Sequence, residues 1–286
     1  MDSQEAQGAV DADQITVRFG RPEEWKRFAQ DRSELLSRLP RVYNLANAVF
    51  NRSWATDKPV DRLVFSLGIL CFEDFEEILL LGANGHGFGC QKILRGMFER
   101  VVTASHLHRV PTDAQRFLDF HPISDYKLVR EVFDSVGQFD GITADVVAEK
   151  KRLRDAALPA FETRCRTSGC DRMVNGFSWS PLDVVSMARV DDGLKELIGI
   201  AYYVPMAFTH ATVQAVLSHM AMDGQGVTLA DRDNNARTWA DRVVCAAHNL
   251  TLRNFALQVK HFPDLGSLQA DLDACAEDFQ AAWKSN

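Results

Sequence analysis

From Pro22 almost to the carboxyl end, apolar residues recur at three- and four-residue intervals, the spacing that lines one side of a helix. Pro22 suits a first helical turn, and Trp25, Phe28, Leu35 and Leu36 follow on one face until Pro40, which is expected to break the run. A shorter helix is predicted over about 41 to 51. From Pro59 to Leu81 apolar residues (Val60, Leu63, Val64, Leu67, Leu70, Phe75, Ile78) fall nearly all round the helix, so this element is expected to be central and buried, with Gly82 able to end it.

A helix over 89 to 109 follows a glycine-rich turn. Pro111, Thr112 and Asp113 open another that is predicted to run to about Ser135. Thr143 starts a basic helix that ends or kinks near Pro159. Ser180-Pro181-Leu182-Asp183 approximates a capping box, which predicts a helix starting there. Segments 192–203 and 205–222 read as one broken helix or two, and 235–262 and 265–283 complete the set. No stretch alternates with period two, so a sheet-based fold is disfavoured. The fold class is therefore all-α, a multi-helix bundle of about eight or nine helices. Residues 1–14 are expected to form a disordered tail and 15–286 a single α-helical domain, with C-terminal helices over 235–284.

Composition narrows the function classes only a little. The chain has 286 residues, 46% hydrophobic and 25% charged, an ordinary globular balance. Its longest apolar stretch, Leu63 to Phe72, is far short of the roughly 20 residues that span a bilayer, so no membrane association is expected. The first residues, MDSQEAQGAVDADQ, carry neither the basic nor the apolar region of a signal peptide, which points to the cytoplasm. A net charge of -7 argues against a surface that grips nucleic acid everywhere. Residues 149–172 nonetheless hold seven Lys or Arg against four acids, a mixed run that reads as a solvated face. The six cysteines lack the paired spacings of a zinc site; only Cys165 and Cys170 are close, and all read as reduced thiols. Neither metal nor cofactor is expected.

Two glycine and arginine patterns remain. GANGHGFGCQK (82–92) lacks the GK[ST] of a phosphate loop and follows a helix rather than a strand, while Gly82, Gly89 and Gly96 at seven-residue spacing suit close helix packing. Beyond that turn, Ile93, Leu94, Met97, Phe98, Val101 and Ala104 form an apolar face, and Gln91, Arg95, Glu99 and His106 line up on the other. This is either the wet side of an amphipathic helix or a site. Glu73, Asp74, Glu76 and Glu77 stand near the end of the preceding apolar helix, where buried acids need partners, and a helical hairpin would let Arg95 meet one of them.

Glu99-RVVTAS-His106 is echoed by Asp241-RVVCAA-His248, although helical segments of limited alphabet often coincide. The Arg-x5-His spacing resembles the motif of the helical HEPN ribonucleases. That resemblance implies Arg100 as a phosphate contact, His106 in acid-base transfer, and two protomers supplying one composite site, so a homodimer. On an ideal helix Arg100 and His106 lie roughly 120° apart.

His210 follows Pro205 by five residues and precedes Gln214 by one turn, in AFTHATVQ. Taken with QKILRGMFERVVTASHL, RFLDF, FSWSPLDVVSMARV and AYYVPMAFTHATV, this segment resembles, over about residues 60–220, a bacterial family catalogued as domain of unknown function 5677. The resemblance implies a helical core and singles out Arg95, Glu99, Trp179, Tyr203 and His210. Two functions fit. One is a metal-independent RNA-cleaving or other phosphodiester-acting enzyme, a defence or toxin component, with Arg95 or Arg100 on phosphate, Glu99 beside them, His210 or His106 in proton transfer, and Trp179, Tyr203 and Gln214 in binding. The other is a helical module that binds a protein partner or small ligand, with the polar cluster giving structural specificity.

Overall fold

The fold is organised around one long helix whose buried face is wide and whose exposed stripe runs through Arg62, Ser66, Leu70, Glu73, Glu77 and Leu80. In the computed structural model, which describes residues 20–164, 173–175, 178–210, 212–218, 220–223, 226–229 and 232–284, that helix is α3 (Pro59–Ala83), preceded by α1 (Pro22–Asp31) and α2 (Ser33–Phe50). A turn at Asn84, Gly85 and His86, with Gly85 at φ +70, reverses the chain into α4 (Gly87–Arg109). Positive φ is available to glycine without steric cost, which is why it stands at this turn. The Asn84 side chain fixes the turn by donating to the Leu80 carbonyl at 2.9 Å and accepting from the Arg21 amide at 2.9 Å.

The long helix α12 (Arg232–His261) completes a three-helix core with α3 and α4, running antiparallel to α3. Its Asn254 and Gln258 side-chain amides each donate at 2.9 Å to carbonyls on α3, of Gly68 and Val64. Phe75, Phe98, Leu94, Leu250 and Phe255 fill the space between, all fully buried. Burying each such side chain contributes about 1.5–3 kcal/mol. Trp54, Phe65 and Phe262 close one end in edge-on and tilted ring contacts. The C-terminal helix α13 (Gln269–Trp283) packs on α12 and on α2, where Arg38 and Arg41 both reach Asp278.

Between α4 and α12 in sequence lie α5 (Asp113–Asp119), α6 (His121–Val136), α7 (Ala144–Ala157), α8 (Val184–Arg189), α9 (Asp192–Lys195), α10 (Val204–Thr209) and α11 (Val213–Leu217). Short 3-10 turns occupy Leu158–Phe161 and Pro263–Leu268, and a π turn occupies Gly199–Tyr203. Nine α-helices of seven residues or more stand among the described residues, an all-α bundle. None is long and apolar enough to cross a membrane.

Several boundaries differ from the sequence reading. Pro40 lies inside α2, at an exposed position, because the apolar residues on either side of it (Leu35, Leu39, Val42 and Leu45) are all buried on one face and hold the helix together. The helix expected from Pro111 to Ser135 is two, broken at Phe120, with Pro122 restarting it. Asp183 rather than Ser180 caps α8, accepting from the Ser186 amide at 2.7 Å, while the Ser180 hydroxyl accepts from the Leu182 amide within the preceding turn. Segment 205–222 is not one helix. It breaks at His210, whose backbone is extended, and ends in a hairpin. Two antiparallel hairpins, β1 (Glu162–Arg164) with β2 (Met173–Asn175) and β3 (Met220–Asp223) with β4 (Gly226–Leu229), supply strands of three or four residues, too short for alternation to register. The expected tail 1–14, Cys165, Cys170 and the end of the basic run lie outside the described residues.

Candidate functional site

Helix α4 carries most of the polar candidates, and the chain after it decides which of them meet. Residues 184–210 run back along α4: Arg109 at its end reaches the Met187 carbonyl of α8, and Phe88 at its start meets the Phe208 ring of α10. This antiparallel path delivers His210, at the end of α10, to Arg95 in the first half of α4. The Arg95 Nη1 lies 3.5 Å from the His210 Nε2. On the same guanidinium, Nε donates at 2.9 Å to the Glu99 carboxylate one turn further on. Tyr202, in the π turn, lies under the guanidinium at 5.2 Å from its ring centroid. Glu99 and Tyr202 thus hold the arginine plane, and His210 stands exposed at its edge.

Such a group has defined chemical capacity. An arginine with its Nε fixed by a carboxylate presents its remaining N–H groups to an anion in a set direction. An imidazole beside it offers ring nitrogens that donate or accept a hydrogen bond. Tyr203, adjacent to Tyr202, is exposed and meets its ring edge-on at 5.5 Å. Gln214, on α11, is exposed beyond His210.

Arg100 and His106 go elsewhere. Arg100 forms an ion pair with Asp74 on α3, so the acid cluster of that helix is met by Arg100 and not, as the sequence suggested, by Arg95. The reason is helical phase: five residues at about 100° each set Arg100 roughly 140° round the helix from Arg95, so that one looks at α3 and the other at α10. Burial pushes the Asp74 carboxyl up to about 6 despite the opposing Arg100 charge, and the neighbouring Glu77 and Glu73 add to the rise. His106 is 4% exposed; its Nε2 lies 2.8 Å from the Asp113 carboxylate at the start of α5, and its ring meets Trp179 edge-on at 5.7 Å. Trp179 is held by Arg116, whose Nε donates to its carbonyl at 2.7 Å. Trp179 therefore belongs with His106 and Asp113, in a group separate from Arg95 and His210.

The supposed wet face of α4 is wet only in part, since Gln91 is fully buried along with His106. The echo at 241–248 diverges in its contacts too. Asp241 pairs with Arg32 at 3.0 Å, Arg242 lies over the Trp239 ring, and His248 is buried with its Nδ1 accepting from the Trp283 indole at 3.3 Å. Burial pulls the His248 imidazole down to about 4, the Asp278 carboxylate opposing. Sequence reasoning passed over Tyr202, Asp74's true partner and Asp113. The signal for Asp113 was an acid seven residues after His106 across a helix break, where periodicity gives no guide.

Among the described residues, no group of three or more His, Cys, Asp or Glu side chains converges as a metal-holding set. No curated protein and no solved structure matches the chain. A family model described as a family of unknown function (DUF5677) matches residues 61–227, a span that begins in α3, includes all of α4 and reaches the second hairpin. It holds Arg95, Glu99, Trp179, Tyr203, His210 and Gln214 and covers more than half of the sequence, and the chain accordingly belongs to the DUF5677 family.

Proposed function

We propose that the protein acts on phosphodiester bonds, with RNA as the substrate class, at the group formed by Arg95, Glu99 and His210. The observation that supports this reading is the 3.5 Å approach of an exposed imidazole to an arginine already oriented by a carboxylate and an aromatic ring. In the proposed step the His210 Nε2 takes the proton of a ribose 2′-hydroxyl as its oxygen attacks phosphorus. The P–O5′ bond breaks, the departing oxygen takes a proton from solvent, and Arg95 offsets the charge that gathers on the phosphoryl oxygens. Glu99 positions Arg95 and takes no proton.

His210→Ala and Arg95→Ala are expected to lower RNA turnover by about 10²- to 10⁴-fold each, with the helical circular-dichroism signal unchanged and chelator without effect. Wild-type protein inert on single-stranded, duplex and transfer RNA would remove the proposal.

A second reading, a module that binds a protein partner or a second copy of itself, draws on a different observation. Tyr203, Met206, Val213, Val216 and Leu217 are exposed apolar side chains on both sides of His210. Under that reading RNA is left intact, and Val213→Asp with Val216→Asp changes the sedimentation behaviour of the protein.

A further inference from the structure

At the far end of α4 from Arg95, a cavity of about 200 Å³ opens between α4, α9 and α12. It is smaller than the ~300 Å³ at which drug-sized ligands begin to fit. Its polar lining is Ser105, His108 and Arg109 from α4, Asp191 before α9, and Arg253 and Lys260 from α12. Three fixed positive charges thus converge against one carboxylate, in a chain whose net charge is -7.

The single carboxylate is already occupied. Asp191 accepts from the Ser105 hydroxyl at 2.7 Å and from the Gly193 and Leu194 amides at 3.1 and 3.2 Å. Arg109 is spent on the carbonyls of Ser105, Val190 and Met187. Arg253 is different: its Nε donates to Asn249 at 2.7 Å, which orients the guanidinium, and among the described residues its two terminal nitrogens have no hydrogen-bond acceptor or acid. The Lys260 ammonium has none either. A β-carbon at position 193 would overlap the Arg253 guanidinium, so Gly193 is what lets that group lie against the backbone at the cavity wall. The positive field reaches His108, whose imidazole is held below its ordinary value first by burial and then by His261, Lys260 and Arg109.

We propose that this cavity binds a small tetrahedral oxyanion, a phosphate group, through Arg253 and Lys260. The site is separate from Arg95 and His210 and does not depend on their role. Its ligand is either free phosphate or the phosphoryl group of a mononucleotide.

Isothermal titration calorimetry with inorganic phosphate tests it, on the full chain and on the Arg95→Ala chain, which removes the other anion contact so that the two readings fail separately. One site is expected to persist in Arg95→Ala. Arg253→Gln, Lys260→Gln and Gly193→Ala are each expected to weaken it roughly tenfold. Lys260 is exposed, so its Gln variant keeps the fold, and a melting curve checks the others. Adenosine monophosphate that competes with phosphate assigns the site to a nucleotide phosphoryl group, and failure to compete assigns it to free phosphate. Phosphate binding that is absent in Arg95→Ala, or that Arg253→Gln and Lys260→Gln both leave unchanged, overturns the proposal.

Discussion

Arg95 and Arg100 sit five residues apart on one helix and face different physics. Arg95 pairs with Glu99 at the surface, where an i, i+4 ion pair contributes about 0.3–0.5 kcal/mol. Arg100 meets an Asp74 that is only 9% exposed, and removing one partner of such a pair leaves a charge with poor solvation. At pH 7, Arg100→Met is therefore expected to cost about 3 kcal/mol by chemical denaturation, and Arg95→Ala less than about 1 kcal/mol. The Arg100→Met penalty is expected to shrink at pH 5, where Asp74 can take up a proton and stop being a charge. Equal losses for the two variants would contradict this division. These residues also show how far the sequence carried the site. Arg95, Glu99 and His210 were legible as polar residues on apolar helices, and their meeting is a matter of chain path. Which arginine answered the acids of α3 was not legible, because helical phase between two neighbouring elements is settled by packing and not by composition.

Close approach of elements has a specific cause at the α4–α12 contact. A β-carbon at Gly87 would overlap the Ala236 carbonyl oxygen and the Ala240 amide nitrogen, backbone atoms that cannot turn aside. The sequence pattern pointed instead to Gly82, Gly89 and Gly96. Of these, Gly82 does face α12, at Val244, whereas Gly89 has only ordinary contacts with Leu81 and His86. Gly87→Ala is thus expected to lower the melting temperature strongly, by the equivalent of about 2 kcal/mol or more, as two helices are pushed apart. Gly89→Ala is expected to be neutral or to stabilise by up to about 1 kcal/mol through helix propensity. A Gly87→Ala protein that melts with the wild type would show that the helices are not held this close. Long helices were readable because three-four periodicity persists over many turns. The hairpins and the breaks at Phe120 and His210 were not, since strands of three or four residues give period two nothing to repeat over, and a break inside a continuous apolar pattern is decided by what the chain must pack against.

Across the whole molecule, two buried ionisable groups pull the stability in opposite directions over one pH range. The Asp74 carboxyl is raised from 3.8 to about 6 by burial, so its protonated form is favoured by folding. Its contribution is fully present below pH 3.8 and is lost as pH rises through 6. The His248 imidazole is lowered from 6.5 to about 4, again by burial, so its neutral form is favoured by folding. Its contribution is present above pH 6.5 and is lost as pH falls through 4. Each amounts to something on the order of 3 kcal/mol at about 1.4 kcal/mol per unit, so between pH 6.5 and 4.5 the two largely cancel. Below that range Glu24 tips the balance. Its carboxyl is held below its ordinary 4.5, first by the hydrogen bond from Arg237 and then by Arg27, and that stability disappears as acid protonates it. With His108 also held below 6.5 and losing stability over the same range, the wild-type melting temperature is therefore expected to fall only gently from pH 6.5 to 4.5 and more steeply below. His248→Gln removes the acid-sensitive member, and its melting temperature is expected to climb as pH falls from 6.5 to 4.5. Asp74→Asn removes the other, and its melting temperature is expected to fall over the same interval from a higher starting point, since at pH 6.5 burial disfavours the ionised Asp74 carboxylate despite Arg100. Differential scanning calorimetry in buffers of matched ionic strength measures all three slopes. Parallel curves for the wild type and both variants would mean that neither group titrates as its burial dictates.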